Sequence, residues 1–253
     1  MLTQLTSLQT QALASSLSRA KFTPYRRVFG GDTKQASELF LLDCALAGAF
    51  QELLRIIELT MRESMHRELA IAYGDWWIFN PNILDDHGRI SVAKAVKRAG
   101  NKASPGQIIA EINMGGWVAM LQQGGFSSDE KKGFIDYNET LWKPALYRSF
   151  SNGAPEQGDV ARVAQRLRHL RNHVAHHEAL VFGIMQTGIR IDGLRVKQRP
   201  VGAFLDICKL AGYLNSDLAA WLTACKDVEL ILEHPLMVKA QRFSKNIPEY
   251  YLI

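Results

Sequence analysis

The chain of 253 residues reads as an all-α protein. Three observations predict that class. Apolar residues recur three or four positions apart over most of the length. Residues that start and stop helices bracket those runs. Only one short stretch alternates in the way a strand does. With 47% apolar and 22% charged residues, the composition is that of a folded globular chain, which excludes a disordered or low-complexity protein.

In chain order, residues 1–35 are expected to form an N-terminal arm and residues 36–253 a single helical domain. The arm carries a basic cluster, Arg19, Lys21, Arg26 and Arg27, which suits a nucleic-acid contact and a solvated linker equally well. Leu39, Leu42, Leu53, Ile57, Met61, Met65 and Leu69 follow helical spacing, as two helices or one of unusual extent, closing at Gly74. "SVAKAVKRAG" predicts a helix capped by Ser91 and stopped at Gly100. A further helix is expected from Pro105 to about Gln123, weakest at Gly115-Gly116. Another spans about Asp159 to Phe182. Alternating Ile189, Ile191 and Val196 around Asp192-Gly193 predict a small β-hairpin near residues 188–198. Two helices close the chain, the last capped by Ser216 and ended before Pro235.

The formal charge is +5, but it is unevenly placed. Residues 162–199 hold Arg162, Arg166, Arg168, Arg171, Arg190, Arg195, Lys197 and Arg199 against Glu178 and Asp192, an excess larger than that of the whole chain. Such a local field attracts polyanions, nucleic acid first among them, although a solvated basic face balanced in the fold has the same signature. Three cysteines without CxxC spacing predict free thiols in a reducing compartment. The first residues lack the apolar core of a secretory signal and no apolar run is long enough for a bilayer span. A cytoplasmic protein with no membrane partner is expected.

"RLRHLRNHVAHHEAL", residues 166–180, holds four histidines and three arginines on one predicted helix. At 100° per residue, Val163, Leu167, Leu170, Val174, His177 and Val181 form its apolar stripe, so His177 is expected to be partly buried. His169, His173 and His177 stand at i, i+4 and i+8, a spacing compatible with a metal, but no further ligand is evident and no metal or cofactor is predicted. Arg171, Asn172 and His176 suit metal-independent RNA cleavage. Histidine moves protons near working pH, and arginine forks onto two phosphate oxygens as charge develops there. Arg171 and His176 lie about 140° apart on the helix, so one copy makes a loosely convergent site. Two copies about a twofold axis would place both pairs around one cleft, which hints at a homodimer.

The phrase "LRNHVAHHEAL" resembles the signature of Abi-like abortive-infection proteins in the HEPN superfamily, with Arg171, Asn172, Ala175, His176 and His177 at the matching positions. An upstream helix, "IIELTMRESMHRELAIAYGDWW", is similar to the family's N-terminal helix through Glu58, Arg62, Tyr73 and Gly74. "INMGGWVAML" and "LWKPALYRSF" are similar to its middle section, so the likeness covers roughly residues 18–182. The resemblance implies a HEPN-type helical bundle with additional helices, often dimeric, and an endoribonuclease active in phage defence. It implies His176 in proton transfer, Arg171 on the phosphate and Asn172 orienting the pair, with Glu58, Arg62 and His177 in support. Glu58 and Arg62 read equally as an ordinary i, i+4 ion pair, worth about 0.3–0.5 kcal/mol. Tyr73, Trp76 and Trp77 read as core or interface anchors. Two functions follow as expectations. One is an RNA-cleaving toxin that leaves a 2′,3′-cyclic phosphate. The other is a non-catalytic protein of the same fold that holds a structured noncoding RNA through Arg166, Arg168, Arg190, Arg195, Lys197 and Arg199.

Overall fold

The computed structural model describes residues 5–100, 102–129, 131–244 and 250–252. They are mostly helical, with eleven α-helices and five short strands among the described residues. They divide into two compact units. The first is made of the described parts of Met1–Leu54, His169–Leu205 and Ala224–Ile253, the second of those of Arg55–Arg168 and Asp206–Thr223.

In the first unit, α1 (Ser7–Ser16) opens on a Thr6–Gln9 capping box, and α2 (Arg19–Val28) on Ser18. Helix α3 (Thr33–Tyr73) begins here and its second half belongs to the other unit. It is one helix, about 60 Å long at 1.5 Å per residue. Asp32 caps it through the Lys34 and Gln35 amides, and Gly74, at φ +83°, ends it where the periodicity predicts. The last turns of α7 (Gln157–Ala175) lead to strands β3 (Ile184–Ile191) and β4 (Leu194–Gln198), joined by Asp192-Gly193, both at positive φ. This is the expected hairpin, four residues longer at its start. It is extended by β5 (Tyr250–Leu252), which runs parallel to β4 and which periodicity does not reveal. The start of α8 (Pro200–Leu214), α10 (Asp227–Leu232) and α11 (Pro235–Ser244) complete the unit. Phe22, Tyr25, Leu39, Leu42, Leu170, Val174, Leu180 and Ile184 are among its buried apolar residues.

In the second unit, α4 runs Asp86–Ala99, six residues earlier than a helix capped by Ser91 would begin. Asp85 is the cap. Its Oδ1 accepts from the Gly88 amide at 2.7 Å and from the buried Tyr137 hydroxyl at 2.6 Å. Ser91 therefore lies inside the helix. The helix expected over 105–123 is two, α5 (Pro105–Ala110) and α6 (Met114–Ala119). The break falls before Asn113, not at Gly115-Gly116, because Asn113 Oδ1 takes the Gly116 amide and caps a new helix. Strands β1 (Gly124–Phe126) and β2 (Phe134–Asp136) follow, then the first turns of α7, the rest of α8, and α9 (Ser216–Ala224). The predicted final helix is thus split, with Asn215 and not Ser216 at its cap, and Pro235 starts α11. Trp77 and Trp117 are fully buried in the second unit, whereas Trp76 is exposed against Phe79.

Gly124 sits at φ +90°, and a Cβ there would come within 2.0 Å of the Ile135 carbonyl oxygen. Gly124→Ala is expected to lower stability by at least ~2 kcal/mol, read as the shift in urea midpoint. An unchanged midpoint would mean that the β1–β2 pairing contributes nothing to the unit.

Candidate functional site

The stripe predicted on α7 is correct as far as the helix extends. Val163, Leu167, Leu170 and Val174 are all buried. The helix, however, ends at Ala175 and not at Phe182. His177 takes a left-handed conformation at φ +53°. The Glu178 amide reaches back to the His173 carbonyl at 2.9 Å and the His177 amide to that of Val174 at 3.2 Å. These two bonds make a Schellman termination, with His177 in the place most often taken by glycine. His177 is therefore exposed, not partly buried on the stripe. Val181 is buried from the following loop and not from the helix. His177→Gly is expected to stabilise the chain by about 0.5–1 kcal/mol, and a β-branched residue there to destabilise it, as measured by thermal unfolding. A loss of stability in the glycine variant would show that the imidazole does more than occupy the turn.

The termination also explains His173 and Glu178. Its two ends commonly touch through apolar side chains. Here they touch through polar ones, with His173 Nε2 at 3.0 Å from Glu178 Oε2. His173 is buried. Its Nδ1 lies 3.0 Å from the His169 carbonyl, which can only accept, so that nitrogen carries the hydrogen. Nε2 is then free to accept the Met185 amide of β3 at 3.0 Å. One buried ring thus ties the end of α7 to the turn and to the hairpin. The i, i+4, i+8 histidine row ends with the helix, since His177 has turned out of it. Among the described residues, no group of three His, Cys, Asp or Glu stands close enough to hold a metal ion.

A second buried group holds the loop after the turn. Asp43 of α3 accepts the Leu180 amide at 3.2 Å, the Val181 amide at 2.8 Å and the Tyr25 hydroxyl at 2.6 Å. Burial pushes the Asp43 carboxyl up to about 6, against the lowering effect of its three donors. The Tyr25 phenol is pushed far above its ordinary value, first by burial and then by Asp43. From α2, Lys21 Nζ donates to the His177 carbonyl at 3.3 Å. Sequence reasoning missed His173, Asp43, Tyr25 and Lys21 as parts of this frame. The one signal within the sequence is an aspartate on an otherwise apolar run, "LFLLDCALAG".

Arg171 is half-buried and Asn172 and His176 are exposed, all in the last turn of α7 or just past it. The His176 amide still bonds the Asn172 carbonyl at 2.9 Å, so His176 closes the helical track. The hairpin belongs to the same unit. There Arg190 and Arg195 lie directly opposite each other, both exposed, and Arg190 also donates to the Gly193 carbonyl. Like charges in that register destabilise a sheet. Lys197 donates to the Phe182 carbonyl, and Arg199 borders a small cavity with Arg242.

The remaining predicted residues belong to the second unit. Arg166 forks onto Asp206 at 2.5 and 2.6 Å, so its guanidinium is occupied by a carboxylate. The Arg168 stem runs beside Gly115. Arg62 does not pair with Glu58. It bonds Glu63 at 3.3 Å and the Ala110 carbonyl at 3.4 Å. Glu58 is half-buried. Among the described residues, no helix is long and apolar enough to cross a membrane. No family model, curated protein or solved structure matches the chain.

Proposed function

We propose that this is a HEPN-type, metal-independent endoribonuclease of an abortive-infection system, acting on RNA in the cytoplasm as a homodimer. One observation supports the reading above the others. Arg171, Asn172 and His176 sit at an accessible helix end that is held from beneath by His173 and Asp43. A reacting constellation needs such a rigid, buried support behind exposed groups. In the proposed reaction His176 moves the proton between the 2′-hydroxyl and the leaving 5′-oxygen. Arg171 neutralises the charge that develops on the phosphate, and Asn172 orients the pair. The P–O5′ bond breaks as the 2′-oxygen attacks, leaving a 2′,3′-cyclic phosphate and a free 5′-hydroxyl. A twofold partner would bring a second set to the cleft.

Purified protein is expected to cut RNA in the presence of EDTA and to leave cyclic-phosphate ends. Absence of cleavage in EDTA, with activity restored by a divalent metal, would overturn the proposal. A second reading, a non-catalytic protein that holds a structured noncoding RNA, is favoured by one observation. The opposed Arg190 and Arg195 cost stability without a ligand and gain from a bound phosphate. RNA that co-purifies without turnover would select it.

A further inference from the structure

The groove between α1 and α2 lies apart from the motif and has its own chemistry. It is an open cavity of about 640 Å³ lined by Ala14 and Leu17 on one side and by Arg19, Thr23, Arg26 and Arg27 on the other. No acidic residue precedes Asp32 in the chain. Among the described residues, Arg19, Arg26 and Arg27 form no ion pair. Arg26 is nevertheless fixed, because its Nε and one terminal nitrogen donate to the Gly31 carbonyl at 3.4 and 3.3 Å, which leaves its other N–H groups to a ligand. Three guanidinia around an open trough, with no carboxylate paired to them among the described residues, are a receptor for successive phosphates.

We infer that this groove is a second phosphate-binding subsite, for the single-stranded RNA that flanks the cleavage point. The inference rests on the RNA reading above. Helix α2 supplies the connection. At 100° per residue, Arg19, Thr23, Arg26 and Arg27 share one side of it, and Lys21, Tyr25 and Val28 the other. The second side faces the motif, where Lys21 holds the His177 carbonyl and Tyr25 holds Asp43. Groove and motif are thus separated by the thickness of one helix, about 10 Å. A strand leaving the motif reaches the groove by passing round α2. An acidic protein would also satisfy the arginines, but it would not account for a helix whose opposite side faces the turn after the motif.

The test uses the full chain with His176→Ala, so that bound RNA stays uncut. It is titrated with a labelled single-stranded RNA too short to leave the motif and with one long enough to pass round α2, at several salt concentrations. Arg19→Glu with Arg27→Glu is expected to weaken the long RNA by at least ~10-fold, leave the short one unchanged, and reduce the long RNA's salt slope by about 1.4. The neutral pair Arg19→Gln with Arg27→Gln is expected to fall between, which separates lost charge from a misfolded arm. Unchanged affinity and slope for the long RNA would overturn the subsite while leaving the nuclease reading intact. Failure of the parent protein to bind either RNA would overturn both. Binding of polyglutamate that is lost in the double variants, with RNA affinity unchanged, would assign the groove to an acidic protein and overturn the inference.

Discussion

Alanine at His176 is expected to reduce RNA cleavage by ~10²–10⁴-fold, the usual contribution of a positioned proton-transfer group. Arg171→Ala is expected to cost ~10²–10³-fold through lost charge stabilisation on the phosphate. The two should not multiply in the double variant, because groups that act as a unit are non-additive. His176 is exposed and, among the described residues, no side-chain bond depends on it, so its variant should unfold within about 2 °C of the parent. His173→Ala provides the contrast. It orphans the Met185 amide and releases Glu178, at a cost of about 1–3 kcal/mol, so its loss of activity should come with a lowered melting temperature. Cleavage of end-labelled RNA and thermal unfolding, measured on the same preparations, check both. Full activity in both Arg171→Ala and His176→Ala would sink the assignment of this site.

Asp43→Ala is expected to cost about 3 kcal/mol or more, since three buried donors lose their common acceptor. The effect also carries a pH signature. The folded-state value of about 6 lies above the ordinary 3.8. The native chain therefore holds this proton more tightly than the unfolded chain does. Stability from this group is full below about pH 4 and is lost as pH rises through about 6, by on the order of 3 kcal/mol in all. Roughly half of that falls between pH 5 and pH 7.5. Urea unfolding at those two values should therefore show the parent losing stability as pH rises. Asp43→Asn, which keeps the shape without the charge, should flatten the difference. A slope that survives in Asp43→Asn would assign the pH dependence to another group.

What was legible in the sequence is what depends on near neighbours along the chain. The buried positions Leu39, Leu42, Leu53, Ile57, Met61, Met65 and Leu69 of α3 follow from a 3.6-residue period. The end of that helix follows from a glycine able to take positive φ. The hairpin turn follows from Asp192-Gly193, a pair suited to two successive left-handed residues. The misplaced starts have a common cause. Asp85 and Asn113 compete as caps with the serine and glycine signals, and Asp85 prevails because the Tyr137 hydroxyl, 52 residues away, buries and fixes its carboxylate.

The region around "RLRHLRNHVAHHEAL" divides along the same line. By itself the sequence determined a helical class, the inward stripe from Val163 to Val174, and the gathering of arginine and histidine on one element. Only tertiary structure decided where that element stops. A local pattern extends the stripe through His177, but the next residues are drawn away by Asp43, 137 and 138 positions distant from the amides it binds. With the chain turned there, His177 leaves the core and His173 enters it. Arg166 is engaged by Asp206 in the same way, by a partner 40 residues off. Helix periodicity is a property of neighbours and can be read from a single segment. The capture of a buried donor by a distant carboxylate is a property of the folded chain, because it satisfies groups that meet only after folding.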